Sequence, residues 1–514
     1  MPVVEESETA PLIPSGDLGS NTSDRSLWQT VIEYRQSLLW STFFALSALL
    51  WGYDNQVAGS LLGAPQFRKD FGYIFDGQAV ISAPWLAAFS AASSIGGLFG
   101  CILGGGVADK SGRRWALGFC SIISISAVFV EVIATAKSTL LVGKLVNGFA
   151  LGVFLTVSSA YCAESCPVTL RGVTTSGVHL FIGLGSLVAS TLVKIFGHLP
   201  DSRAYRGPFA LQWLFPTILL LGLPFCPESP WWLVRKGNTQ AAARSLRRLG
   251  FKDVDTSLES IRRTVYVELV DQMETSYLDC FRGVDFRRTE IAMGVFTISQ
   301  LVGPVFIMGY STYFFELAGL STSNAFSLGI GIASAAVISN MFSWLLVNSV
   351  GRRLMYLYGT LGLFGCLLTI GLLDVKPDAK GASAWWQSAM CALYQFIYYL
   401  AVGPITYTLF SEIASPRLRS RTIGLGLVVQ NLFGLALNLL IPYLINPDEA
   451  NLRGKIGFIF AGTSIFGNLW VYYRVPETKG KDFEELTMLF ENHVPARDFA
   501  TYSVKKPKTG SLRE

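Results

Sequence analysis

Apolar runs of bilayer length constrain this chain more than any other feature. Twelve of them, at 38–59, 80–103, 115–135, 139–162, 173–196, 208–226, 290–314, 325–347, 354–373, 385–411, 422–444 and 455–474, are each roughly 20 residues long. Of 514 residues, 51% are hydrophobic and only 15% are charged. A soluble domain carries nearer to about 25% charge, so no aqueous core can absorb these runs and the bilayer must serve as their solvent. Backbone polar groups in lipid must be satisfied within the segment, which makes each run a helix. The expected fold is an all-α membrane protein with twelve transmembrane helices.

The polar segments between the runs set the orientation. A knot at 104–114 carries one acid, three bases and four glycines between two of the runs. Bases beside a membrane helix hold that end in the cytoplasm. The Lys/Arg positions at 109–114, 171, 352–353 and 417–421 therefore mark the cytoplasmic side, with Arg68, Lys69, Arg203 and Arg206 as exceptions on the other. An even number of spans puts both ends of the chain on one side. The polar stretch 1–37 reads as a disordered cytoplasmic tail, and Glu8 through Leu12-Ile13 has the pattern of an acidic dileucine sorting signal. The charged segment 227–289 reads as a cytoplasmic linker with short amphipathic helices, at 241–249 and 258–270, and 476–514 reads as a second cytoplasmic tail.

The two halves echo one another. Gly112-Arg113-Arg114 recurs as Gly351-Arg352-Arg353, Glu164 with Arg171 as Glu412 with Arg419, and Pro227-Glu228-Ser229 as Pro476-Glu477-Thr478. All three recur in the same order after about 240–250 residues, the mark of a duplicated unit. Two six-helix pseudo-symmetric bundles, 38–226 and 290–475, then rock against one another around a site near the bilayer midplane. Asp109, Arg113, Glu164, Arg171, Arg352, Glu412 and Arg419 are gating candidates, expected to pair where the inner ends of the bundles part.

Several function classes find no support. The eight cysteines are scattered, without C-x-x-C pairs or metal-ligand spacing to histidine, and read as free buried thiols. No nucleophile–base constellation or phosphate loop points to an enzyme, and the glycines at 104–106 follow no strand. No cofactor and no nucleic-acid partner is expected, because the modest net charge of +5 sits beside the spans. The bilayer is the partner that composition points to.

Gly52-Tyr53-Asp54, the knot through Arg114, Tyr161 through Arg171-Gly172, Pro227-Glu228-Ser229-Pro230, Gly351-Arg352-Arg353, Gly403-Pro404 and Pro476 through Gly480 together resemble the sugar-porter branch of the major facilitator superfamily. The likeness extends from about residue 40 to 490. Tyr205 through Trp213, Pro227 through Gly237 with Trp231 where the wider family has Arg, and Gly309 through Phe315 are similar to the fungal maltose and α-glucoside proton symporters. The resemblance implies the major facilitator fold and sugar transport by alternating access, with a small-molecule sugar or metabolite and protons as partners and a monomer as the expected working unit.

It also implies site residues. Substrate-lining positions correspond to His179, where the family has Gln, to Gln300, to Tyr407, where the family has Trp, and to Gln430 with Asn431; the span-seven Asn of the family is Val305. This altered set fits a disaccharide, a modified sugar or a non-sugar metabolite. Transport of a secondary metabolite or organic acid, and a non-transporting sugar sensor, stay open as alternatives. Asp54 lies in the family's proton-coupling pattern, and Lys144 stands where the family places Arg. A carboxylate at the bilayer centre costs about 2.5–3.5 kcal/mol, so Asp54 needs a partner, and Lys144 is the expected one. Glu131 reads as interfacial, at the outer end of its span. The aromatics Tyr310, Tyr313, Phe314, Phe315, Tyr398 and Tyr399 are expected near the cavity. The expected location is the plasma membrane, with vacuolar and endosomal membranes as alternatives.

Overall fold

The computed structural model describes residues 27–274, 276–375, 382–415, 418–481, 483–500 and 502. The dileucine-like pattern at Glu8 to Ile13 lies outside them. Among the described residues, eleven helices are long and apolar enough to cross a membrane. The helix Arg35–Ser60 is also long enough, at 26 residues, but is more polar, with Asp54, Asn55 and Gln56 close to its end. It is span 1. Spans 2 to 6 are Ala83–Ser111, Arg113–Ile133, Lys137–Ser165, Val168–Phe196 and Arg203–Phe225. Spans 7 to 12 are Gly283–Leu317, Thr322–Ser349, Arg352–Val375, Ala382–Phe410, Arg419–Ile445 and Ile456–Arg474. Every expected apolar run is thus part of a long helix.

Short connections force antiparallel neighbours. Between spans 2 and 3 a single residue, Gly112, turns the chain at φ +95°, a conformation that costs a side-chain-bearing residue dearly. Spans 2 and 4 meet through small residues. Gly96 and Gly100 lie against the backbone at 145–152, while Gly148 and Gly152 face Ser93 and Gly97. Removing side chains at this seam lets two backbones approach, which is how membrane helices gain contact without a hydrophobic driving force. Of the knot's own glycines, Gly104 packs on Val153, while a Cβ on Gly105 or Gly106 would meet open space.

Three spans are broken, span 6 by a turn at Gln212-Trp213 between the helices Arg203–Leu211 and Leu214–Gly222. Span 7 is interrupted at Val302-Gly303-Pro304, where Gly303 adopts φ +89° and Pro304 starts a new helix. Span 10 widens into a π-helical turn at Tyr398–Val402 before Gly403-Pro404.

The spans define two faces. One carries the segment 227–289, and we call it the linker face. The other carries a small antiparallel hairpin, Tyr73–Phe75 with Gln78–Val80, turned by Asp76-Gly77 with positive φ at both residues. Within the linker segment lie the helices Pro230–Arg235, Thr239–Arg248 and Val254–Glu274. They share a small apolar core of Leu246, Val254, Ile261 and Val265 and are fastened to the start of span 1, where Ser37 Oγ donates to the Leu249 carbonyl at 2.8 Å.

Three segment readings need adjustment. Residues Leu27–Glu33 of the expected disordered tail form a helix, fastened by Glu33 to Lys252 at 2.7 Å, and span 1 begins at Arg35. Span 7 begins at Gly283, inside the range assigned to the linker. The C-terminal segment carries the helix Phe483–Glu491, which buries Leu486, Leu489 and Phe490 and, beyond it, Val494 and Phe499. Leu486, Leu489 and Phe490 stand at helical spacing; the surface they meet, with Arg288 against the Phe490 ring at 4.7 Å, belongs to span 7.

Candidate functional site

A buried ionic centre lies between spans 1, 2, 3, 4 and 6. Asp54 is fully buried and Lys144 nearly so. Lys144 Nζ donates to Asp54 Oδ1 at 2.7 Å, and Asn147 Nδ2 and Gln212 Nε2 donate to the same oxygen at 3.2 and 3.1 Å. Ser93 Oγ donates to Oδ2 at 3.3 Å. Ser124 orients Asn147 by donating to its Oδ1 at 2.9 Å. A buried charge pair survives only when its spare hydrogen-bonding capacity is also met, and Asp54 is met four times. Lys144 also lies 4.9 Å from the Phe209 ring centre. Asp54 is six residues from the end of span 1, about 9 Å along the axis, so the centre sits toward the hairpin face and off the bilayer centre.

Glu131, near the end of its span, is part of this centre and is buried. It is 1% exposed, with Oε2 at 3.4 Å from Lys144 Nζ. The signal was its position one turn before the tight connection 134–136, which folds span 4 back along span 3 and places Lys144 beside it. The supporting amides Asn147 and Gln212 had no such signal.

Closer to the middle, side chains from the two halves meet. The His179 ring of span 5 lies 4.8 Å from the Tyr407 ring of span 10. Tyr407 and Gln430 of span 11 exchange a long hydrogen bond at 3.4–3.5 Å. Gln300 ends the first part of span 7 beside Gly434 of span 11, where an added Cβ would stand 3.6 Å from its Oε1. Asn431 donates to the Leu427 carbonyl of its own helix at 2.8 Å. Two further polar contacts, missed in the sequence, cross between the halves: Ser90 shares a hydrogen bond with Tyr310 at 2.8 Å, and Asn438 donates to Ser94 at 3.2 Å. The aromatics divide. Tyr313, Phe314 and Phe315 are packed into the core, Tyr313 donating to Asn446 at 2.7 Å, whereas Tyr398 and Tyr399 lie on the widened turn of span 10.

On the hairpin face the halves are tied together. Arg68 pairs with Glu316 at 2.8 Å, which gives that exceptional outer base a partner in the other half. Tyr73 donates to Asp448 at 2.7 Å, and this hydrogen bond holds the Tyr73 phenol above its ordinary range. Asn446 donates to the Ile81 carbonyl at 2.8 Å. A cleft of about 620 Å³ opens beside these ties, bordered by Arg68, Glu316 and Arg453.

On the linker face the charged clusters among the described residues join groups of the same half. Arg113 pairs with Glu164 at 2.9 Å and with Asp109 at 3.1 Å, and Ser229 donates to Glu164. The second half repeats this: Arg352 pairs with Glu412 at 3.3 Å, and Thr478 donates to Glu412. Glu228 accepts from the backbone N–H of Arg113 and Arg114 at 3.0 and 3.2 Å, and Glu477 accepts from Arg352 and Arg353 at 2.9 and 3.2 Å. Each carboxylate caps the positive end of a span. Burial pushes the Glu228 carboxyl above the ordinary range, and its backbone N–H partners pull it back. The side chains of Arg171 and Arg419 lie outside the described residues; their backbones stand at the linker-face ends of spans 5 and 11.

Twelve spans in two repeated halves, with a polar seam between them and a buried ion pair inside the first half, define a membrane transporter of the major facilitator fold. The chain matches the family described as "Sugar (and other) transporter" over residues 40–490, and it belongs to that family. Among curated relatives, it is 30% identical to the general alpha-glucoside permease of Saccharomyces cerevisiae over 498 residues, covering 95% of this chain and 80% of that one. It is 32% identical to the maltose permease MAL31 of the same yeast over 483 residues, covering 92% and 78%. Among solved structures, the inward-open xylose transporter XylE of E. coli superposes with a TM-score of 0.69 at 20% identity, over 87% of this chain and 98% of that one. The nucleoside transporter NupG superposes with a TM-score of 0.58 at 15% identity, over 85% and 99%. Likeness at this identity speaks for the fold alone.

Proposed function

We propose that this protein is a proton-coupled sugar transporter that moves an α-glucoside or related sugar by alternating access. The observation that carries the reading is the Asp54–Lys144 pair, buried among the spans of the first half in a member of the sugar transporter family. When Asp54 is ionised, Lys144 is held; when it is protonated, the pair loosens and spans 1 and 4 can shift against one another. One proton crossing 100 mV supplies about 2.3 kcal/mol, enough to accumulate a neutral solute a few tens-fold. Two relatives at 30% and 32% identity, named as α-glucoside and maltose permeases, support the substrate class.

In this reading His179, Tyr407, Gln430, Gln300 and Asn431 contact the sugar, and the ties on the hairpin face hold the outer gate closed. We assign the linker face to the cytoplasm on the bases at its loops, and the carrier to the plasma membrane, acting as a monomer and not as an enzyme. A non-sugar metabolite is the second reading, favoured by His179 and Val305 in place of the family's amides. Uptake of a labelled panel of α-glucosides, hexoses and organic acids, in cells stripped of their own carriers and with or without a protonophore, tests both. Protonophore-sensitive maltose-type uptake is expected; uptake of an acid but of no sugar favours the second.

A further inference from the structure

The coupling reading uses Asp54 and Lys144 and leaves one buried acid of the same centre without a task. Glu131 lies 3.4 Å from the ammonium that holds Asp54, in a setting the helix packing has made for it: a Cβ on Gly143 would stand 2.7 Å from its Cγ. The charged groups facing it are Lys144 from span 4 and Asp54 from span 1. Apart from the 3.4 Å approach of Lys144 Nζ, neither carboxyl oxygen of Glu131 has a hydrogen-bond partner among the described residues, whereas Asp54 accepts four hydrogen bonds. Two acids and one base cannot all be ionised in a dry site without a net charge that nothing repays. The centre is neutral when it holds one proton, and that proton belongs on the acid with the poorer hydrogen bonding.

Resting on the proton-coupling reading above, we infer that Glu131 is a second proton-bearing acid of the carrier, protonated while Asp54 holds Lys144 and taking Lys144 over when Asp54 is protonated. The exchange runs along Glu131 Oε2, Lys144 Nζ and Asp54 Oδ1. An N–H bond of Lys144 breaks as an O–H bond forms on Asp54, and the O–H bond of Glu131 breaks as Lys144 regains its third proton. The centre stays neutral throughout. Glu131 is then reloaded from the medium as the proton leaves from Asp54, so that the centre keeps one proton.

Infrared spectroscopy of the purified carrier in lipid nanodiscs tests the protonation directly, by the carbonyl stretch of a buried carboxylic acid. The band is expected in the wild type at neutral pH and absent from Glu131→Gln. It is also expected to be lost in Asp54→Asn, where Glu131 becomes the one carboxylate left to Lys144 and ionises. A wild type without the band, or a band that survives in Glu131→Gln or Asp54→Asn, overturns the inference. In cells, Glu131→Gln is expected to lower the sugar accumulation ratio by about tenfold, with Glu131→Asp restoring most of it. Undiminished accumulation in a Glu131→Gln protein of wild-type melting temperature also overturns it. Should the wild type accumulate no sugar against a proton gradient, the coupling reading fails, while the infrared band still decides whether Glu131 carries a proton.

Discussion

Lys144 stands between two carboxylates, 2.7 Å from Asp54 and 3.4 Å from Glu131, and is the base both of them face. Replacing it by Met removes the positive charge and leaves two acids in a dry site. Breaking a buried pair in this way costs about 3–5 kcal/mol unless the orphaned groups take up protons. Lys144→Met is therefore expected to lose transport at neutral pH and to regain part of it in acid medium. Uptake measured across a pH series checks this; an unchanged profile would show that the pair does not govern the cycle.

The Arg68–Glu316 pair joins the halves on the hairpin face with both partners largely shielded. Glu316→Gln removes the charge that holds Arg68 and is expected to shift the population toward a conformer open on that face. An ion pair of this exposure contributes about 1 kcal/mol, a population shift of about fivefold. Modification of a single cysteine placed in the outer cleft, before and after the substitution, reads the shift as a rate.

The carboxylates Glu228 and Glu477 cap equivalent spans in the two halves, each accepting from two successive backbone N–H groups. Loss of the charge in Glu228→Gln or Glu477→Gln is expected to cost about 1–2 kcal/mol each, because both helix ends lose the same kind of partner. Thermal melting in detergent should show similar decreases for the two and a nearly additive double variant.

Tyr407 touches His179 with its ring and Gln430 with its hydroxyl, bridging spans of both halves. Tyr407→Phe keeps the ring contact and frees Gln430, so it is expected to raise KM several-fold with little change in maximal rate. His179→Ala removes the ring contact itself and is expected to affect both. A sugar whose KM is unmoved by either variant does not bind at this seam.

The fold was legible where physics acts locally. Twelve apolar runs in a chain this long leave only helices, and the repeated Glu164/Glu412 and Glu228/Glu477 motifs exposed the duplication before any contact was known. The Asp54–Lys144 pair was legible because an acid in lipid demands a base. Glu131 was misread, since its sequence position near a span end looks exposed; only the folding of span 3 onto span 4 buries it. The gating acids are expected to pair where the inner ends of the bundles part, and there Glu164 and Glu412 are each engaged by a hydroxyl and an Arg of their own half. The C-terminal helix Phe483–Glu491 was hidden because its apolar face is short and its docking surface comes from distant residues.

The central claim is that sugar and proton move together through a cycle run by Asp54. The most direct measurement is the external pH of a lightly buffered suspension of proteoliposomes or cells carrying this protein when maltose or another accepted α-glucoside is added. The account predicts prompt alkalinisation of the medium with the wild type and none with Asp54→Asn, which keeps downhill sugar flux. Sugar entry with no pH change in the wild type, or alkalinisation of undiminished size in Asp54→Asn, would contradict it.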